Sequence, residues 1–482
     1  MTQKSIVFLF LLIVSQQVFS QKTQYNIKDF GAMGDGVTIC TAAINSAIEK
    51  CSLNGGGTVV VPVGIFLSGS ILMKKNVELY LEIGSTLLAS TDKNDFPKGA
   101  LIYAQDLSNI AITGFGTIDG NGELQRTMIG KAGTGFRQQS IRMVSCRQIR
   151  IEGIRLINTG TWVQHYFNCE DLFIDRIEVY THSNHNNDAT DIDGCRRVVI
   201  SNSIFDSDDD AITLKSTSTA PTEDVVITNC VISSCYNAIK AGTESIGGFR
   251  NISISNCVVK PSWNKSLAVY SILRDAQTAI ALEIVDGGVM EGVSINNITV
   301  EGTRCPLYIR LGNRGRKPSA TDPDPPVGKL RNVGISNIIA YNTANFCSSI
   351  TGIPGYYIEN VTIVNIQIYN QGGLKTGEYK ASHNDVEEDE KGYPHPITWG
   401  NLPSSVFFIR HVKGISINNL TFGSNQSDPR IPVIAVDVER FRLGKSIFSG
   451  PSISPYYVLL DDVKEFDIEK PLGWGQNPVI KQ

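Results

Sequence analysis

An all-β chain wound into a right-handed parallel β-helix, closed at its N-terminal end by a helix, is the fold predicted here. Three observations predict it. A short pattern close to x-V-x-I-x-N-x-x-I recurs along most of the chain. Asparagines and cysteines occupy matching places in successive copies of it. One helical pattern stands ahead of the run, where an open stack needs a cap.

Along the chain, residues 1–20 read first as a secretory signal. Lys4 supplies the positive start, Ile6 to Val14 the apolar stretch, and Val18 and Ser20 the small cleavage positions, with the cut between Ser20 and Gln21. The apolar run is too short to span a bilayer and no later stretch is a candidate, so the location expected is periplasmic or secreted. Next comes YNIKDFGAMGDG, then a helical pattern over about Thr41 to Cys51. GGGTVVVPVGIFLSGSI and NVELYLEIGSTLLAS supply the first strands. The cap is placed at about 21–75.

The repeats follow, among them NIAITGFGTI at 109, QIRIEGIRL at 148, DLFIDRIEV at 171, RVVISNSIF at 197, DVVITNCVI at 224 and NISISNCVV at 251. Later copies stand at 292, 332, 360 and 414. Alternating apolar residues make each a short strand, and a unit unable to bury its apolar face alone must stack on its neighbours. Asn202, Asn229, Asn256, Asn296 and Asn337 end these strands, where amides can bond along the stack. Cys146, Cys169 and Cys195 share one slot and Cys230 and Cys257 another, which reads as a buried thiol ladder; Cys230 with Cys235 is left as a local bridge. Insertions at 312–328 and 371–404 interrupt the run, and insertions on one face of a solenoid build its binding surface.

The chain has 482 residues and a formal net charge of -4. Length alone would allow several domains, but repeats lengthen a chain without adding any, so 21–482 is read as one. The charge balance excludes the basic stripe of a nucleic-acid partner. The ten cysteines show no zinc-like spacing, and neither a metal nor a cofactor is expected. A capped stack exposes few sheet edges, so a monomer is expected.

The chemistry concentrates between 186 and 216. Asp188 precedes the adjacent pair Asp209 and Asp210 by about one coil, so the three should meet on neighbouring rungs about 4.8 Å apart. Crowded carboxylates repel and raise at least one pKa. A proton donor beside ionised acceptors suits glycoside hydrolysis; a calcium loop is the bland alternative. Asp191 reads as orienting its neighbours or capping a turn. Lys240, one coil beyond the pair, would bind a uronate or offset local charge. Lys215 would contact ligand or acids, and Glu244 a sugar hydroxyl or a salt-bridge partner. Trp162 and His165, about one coil before Asp188, would stack on and donate to sugar, although a buried Trp is equally ordinary. Arg310 offers a bidentate carboxylate contact, and Asn186 touches sugar or shapes its loop.

These motifs resemble glycoside hydrolase family 28, the polygalacturonase and rhamnogalacturonan hydrolase group, over nearly the whole mature chain. Its N-T-D-G-x-D pattern is matched by Asn186 to Asp191, and its G-D-D by Asp208-Asp209-Asp210, with the glycine replaced. The resemblance implies inverting cleavage of a pectic polymer, Asp209 as general acid, and Asp188 with Asp210 holding the water. Asp209 should then sit across the cleft from the other two. Two family motifs are absent: G-H-G is replaced at Tyr236-Asn237-Ala238, and the carboxylate-gripping R-I-K at Ala281-Leu282-Glu283. A glutamate there repels a uronate, so rhamnogalacturonan or its oligosaccharides become the expected substrate. Long insertions closing one cleft end point to exo action. A pectate-lyase-like elimination through Lys240 or Lys215 and a non-catalytic carbohydrate-binding solenoid are the alternatives.

Overall fold

The computed structural model describes residues 23–125, 136–262, 276–451, 454–474 and 479–481. The expected signal over 1–20 lies outside them. Almost every strand is parallel to the one a coil earlier. One ladder runs Ile110, Ile149, Leu172, Val198, Val225, Ile252, Val293, Val333, Val361 and Ile415, each opposite the next. All are buried, and each is worth about 1.5–3 kcal/mol relative to exposure. The predicted right-handed parallel β-helix is the fold observed, with the copies read at 109–414 as its strands.

The corners explain the asparagines. Asn202, Asn229, Asn256, Asn337, Asn365 and Asn419 all have φ between 53° and 58°. That left-handed turn suits Asn, whose short amide bonds locally. The amides also bond along the stack: Asn229 Nδ2 to Asn202 Oδ1 at 3.3 Å, and Asn365 Nδ2 to Asn337 Oδ1 at 2.9 Å. One position differs from the expectation. Asn297, with φ 57°, makes the corner instead of Asn296, which only accepts from Asn337 Nδ2 at 2.8 Å. Where the sequence reads Asn-Asn, the strand pattern does not say which residue turns.

The ten cysteines are all free and buried, Cys230 and Cys235 included. Cys169 N donates to Cys195 Sγ at 3.3 Å, one coil on.

The capping helix spans Thr41–Leu53, a little beyond its expected end, and buries Ile44, Ala47, Ile48 and Cys51. Asn45 ties it to the first coils, donating to Ser70 O at 3.0 Å and accepting from Leu72 N at 2.8 Å. At 371–404 the stack is interrupted by a loop carrying the short helix Pro396–Trp399, and strand pairing resumes at Ser404–Ser424.

Candidate active site

One sheet of the helix positions the chemistry. Its strands Gln139–Val144, Gln164–Phe167, Thr190–Asp193, Ile212–Ser216, Asn237–Ser245, Thr278–Ile284 and Cys305–Leu311 stack in that order. The turns leading into these strands stack too. Val163 N donates to Asp188 O, Ala189 N to Asp210 O and Ala211 N to Asn237 O, each at 2.9 Å. Trp162, Asp188, Asp210 and Asn237 therefore form a column, one residue per coil. Asp209 sits beside it in a turn fixed by Ser207 Oγ and Ser234 Oγ, both donating to its carbonyl at 2.7 Å.

One carboxylate oxygen from each of Asp188, Asp209 and Asp210 lies within 4.8 Å of the others. This corrects the expectation that Asp209 stands across the cleft. The turn places it beside Asp210, whose N–H donates to Asp209 Oδ1 at 2.9 Å. The two neighbours nevertheless have different partners. Asp210 accepts from Asn237 Nδ2 at 2.7 Å, Asn237 N at 3.2 Å and Lys240 Nζ at 3.0 Å. Asp209 is the half-buried one; besides the Asp210 N–H its carboxylate has only a long contact, 3.5 Å, from Asn186 Nδ2.

Their protonation diverges accordingly. Burial, with Asp210 beside it, pushes the Asp209 carboxyl up to about 6. Burial acts on Asp210 as well, but Lys240, Lys215 and the Asn237 amide outweigh it and hold Asp210 below the usual range. Asp188 is raised by burial and by the nearby Asp191 and Asp209 carboxylates. Burial lifts Asp191 to about 7 despite Lys215. Lys215 bridges Asp188 at 3.6 Å, Asp191 at 3.5 Å and Glu244 at 3.5 Å, and lies 4.8 Å from the Trp162 ring centre.

A second column backs the acids. His182, Asp208 and Cys235 are buried on successive coils, with Asp208 N donating to Thr181 O and Cys235 N to Ser207 O. Burial disfavours a charge on His182, but Asp206 at 3.0 Å and Asp208 at 3.5 Å prevail and push it up to about 11. An imidazolium thus anchors the residue preceding Asp209. Among the described residues, these two clusters are the ones whose donor atoms crowd closely enough for a cation. In each, lysine or imidazolium charge already faces the carboxylates.

Other expected ligands fare differently. Trp162 is half-buried, its ring in edge contact with His165 at 5.0 Å. His165 is 6 % exposed and its Nε2 faces Asp193 at 3.3 Å. Glu244 faces Arg316 Nη1 at 2.8 Å as well as Lys215. Arg310 is a correction. It is 2 % exposed and donates to Gly352 O at 2.9 Å, Glu388 O at 2.6 Å and Asp389 O at 3.1 Å. The insertion folds over it, so its two terminal nitrogens clamp backbone carbonyls instead of facing substrate.

Four site residues were missing from the expected set. Asn237 holds Asp210, as above. Glu283 is buried against Gly242, and burial pushes it up to about 7 despite Lys240. Tyr393, from the insertion, accepts at its hydroxyl from Lys240 Nζ at 3.2 Å and Thr243 Oγ1 at 3.0 Å. His395 lies with its ring 6.5 Å from those of Tyr236 and Tyr393. Insertion residues carry no strand periodicity, so only their aromatic and histidine content hinted at them.

Residues 51–266 match the family model described as Glycosyl hydrolases family 28. A probable polygalacturonase of Vitis vinifera is 30% identical over 216 residues, covering 40% of this chain and 44% of that protein. An exo-poly-alpha-D-galacturonosidase of Dickeya chrysanthemi is 26% identical over 248 residues, covering 39% and 41%. The chain thus spans under half the length of these curated relatives. In structure, the family 28 exopolygalacturonase of Yersinia enterocolitica aligns with a TM-score of 0.63 at 17% identity, covering 94% of this chain and 79% of that one. At that identity the likeness concerns the fold.

Proposed function

We propose that the chain is a member of glycosyl hydrolases family 28, whose model matches residues 51–266, and an exported glycoside hydrolase of pectic polymers in which Asp209 is the general acid. The observation carrying this reading is the asymmetry of two adjacent carboxyls. Asp209 keeps a proton up to about pH 6, while Asp210 stays ionised beside Lys240. A donor next to an acceptor is the pair that glycosidic cleavage requires. Asp209 protonates the departing oxygen. Asp210 activates the water, which Asp188 helps to hold. Lys240 and Asn237 keep Asp210 charged, and His182 with Asp208 fixes the turn carrying Asp209. Residues 21–482 act as one capped β-helix, working as a monomer, with 21–75 as its cap.

Lys215 and Lys240 are both held well above the ordinary lysine range by their carboxylate partners, against the cost of burial. A lysine so fixed in its charged form is no base, which disfavours the elimination reading. Inversion is the stereochemistry that family membership suggests. Inverting pairs usually stand about 6.5–9.5 Å apart, and the closer approach here favours retention through a covalent Asp188 or Asp210 intermediate as a second reading. Proton NMR of the first product formed decides: the opposite anomer supports water attack, the same anomer the intermediate.

The substrate we favour is rhamnogalacturonan, attacked from a chain end, because Glu283 stands where a uronate grip is expected. Chromatography of products from polygalacturonan and from rhamnogalacturonan oligosaccharides, wild type beside Asp209→Asn, tests it. Small products from the second substrate alone, lost in the variant, support the reading. Cleavage undiminished in the variant removes Asp209 from the acid's role.

A further inference from the structure

The cleft is electrically lopsided about its acids. Among the described residues, the buried and half-buried cations that back the acids from the C-terminal coils are already matched. Lys240 is paired with Asp210, Arg314 bonds Asp286, and Arg316 bonds Glu244. Glu283 adds a further buried carboxylate. A uronate placed there finds these cations taken, and Glu283, pushed up to about 7 by burial, offers no charge to receive it. What this side does present is neutral. Tyr393 is 51% exposed although its hydroxyl is anchored on Lys240 and Thr243. His395 Nδ1 accepts from Ile397 N at 3.1 Å, so its remaining ring proton sits on Nε2, which has no hydrogen-bond partner. Burial, reinforced by Lys240, lowers His395 to about 4 and keeps it a neutral donor. The exposed aromatic face suits the C–H face of an uncharged sugar, with the unpartnered His395 N–H buried behind it.

Toward the N-terminal coils the balance reverses. Arg142 stands opposite His165, which stands opposite Asp191. Two rungs separate it from Asp191, roughly 10 Å. It is half-buried, and among the described residues neither a hydrogen bond nor an ion pair reaches its guanidinium. Asp193, on the same side, is buried and taken up by His165 and by Thr217 N and Oγ1. Arg142 is therefore a cation without a protein partner, and a guanidinium receives a carboxylate through two parallel bonds.

We propose that the bond cleaved joins unlike sugars: a uronate held by Arg142 on the N-terminal side, and a neutral sugar against Tyr393 and His395 on the C-terminal side. This rests on the pectic hydrolase reading above and adds the polarity of the cleft. A backbone alternating uronate and neutral sugar satisfies both ends, whereas a uronate homopolymer fits one.

The test compares Arg142→Gln, Tyr393→Ala and wild type on three oligosaccharides: homogalacturonan, rhamnogalacturonan backbone, and the latter with its carboxyls reduced. For wild type, carboxyl reduction should raise KM about tenfold, the loss of one charge-assisted contact. Arg142→Gln should raise KM on the native substrate by a like factor and erase the penalty of reduction. Tyr393→Ala should raise KM on both forms equally. Calorimetric binding to the same variants in an Asp209→Asn background, with circular dichroism, separates lost contacts from lost folding. If Arg142→Gln keeps the penalty of reduction, or wild type prefers homogalacturonan, the polarity is wrong while the hydrolase reading stands. If wild type cleaves and binds none of the three, the hydrolase reading falls and the polarity with it.

Discussion

Asp209 and Asp210 are neighbours in sequence and opposites in charge, and that difference has measurable consequences. Asp209 must carry its proton to act, so kcat/KM should fall as pH rises through about 6. The acid limb, set by Asp210, should lie below the ordinary carboxylate range. A pH–rate profile whose basic limb stands well above about 7 would assign the acid to another group. The same shift acts on stability. The folded Asp209 pKa exceeds its unfolded value, so the native state binds that proton more tightly, and stability falls as pH climbs from 3.8 toward 6. At neutral pH the buried charge is a burden. Asp209→Asn should therefore raise stability at pH 7 by about 1–3 kcal/mol while cutting kcat by about a hundredfold or more. Thermal melts at about pH 4.5 and about pH 7, on the two sides of the folded value of about 6, check the sign, since the gain should shrink at the lower pH. A variant less stable than wild type at pH 7 would contradict the burial account.

Among the elements, the insertion at 371–404 separates what could be read from the sequence from what could not. The acids were legible because the repeat sets their register: one coil between Asp188 and Asp210 places them on adjacent rungs whatever the loops do. Arg310 lies on the same sheet, and strand alternation pointed it into the cleft. Its fate depends on a loop without periodicity. Val386 O and Glu387 O are held by Arg410, at 2.8 and 2.9 Å, and Glu388 O and Asp389 O by Arg310. The Arg310 guanidinium also lies 5.1 Å from the Trp399 ring centre. Tyr393 and His395 escaped notice for the same reason, since a side chain delivered by a folded-back loop leaves no spacing signal. Arg310→Ala removes charge-assisted bonds to buried carbonyls and should cost about 2–4 kcal/mol. Limited proteolysis should then cut first within 371–404, and KM should rise as Tyr393 loses its mooring. A variant with wild-type proteolysis and KM would mean that Arg410 holds the loop alone.

The whole molecule was the most legible scale, because a solenoid repeats one local decision: an apolar strand, then a left-handed corner. Only the details between copies escaped, such as which asparagine of Asn296-Asn297 turns. The logic of stacking also makes the first coil vulnerable, since each coil is stabilised by its neighbours and the first has a neighbour on one side only. The capping helix supplies the other, and Ile44 and Ile48 are wholly buried beneath it. Ile48→Asp puts a carboxylate into that contact, at a cost of several kcal/mol, about 3–5. Lifting the cap bares the strands behind it, and a bare strand edge is a template for other chains. Soluble oligomers or aggregates should appear by light scattering, with a lower melting temperature. Interactions along a solenoid run from neighbour to neighbour, so the damage should stay local. The acids sit on coils well beyond the cap, and the remaining monomer should keep near-normal activity per molecule. Activity lost in proportion to helix detachment would instead mean that the coils unfold as one cooperative unit, so that the cap governs the site from a distance.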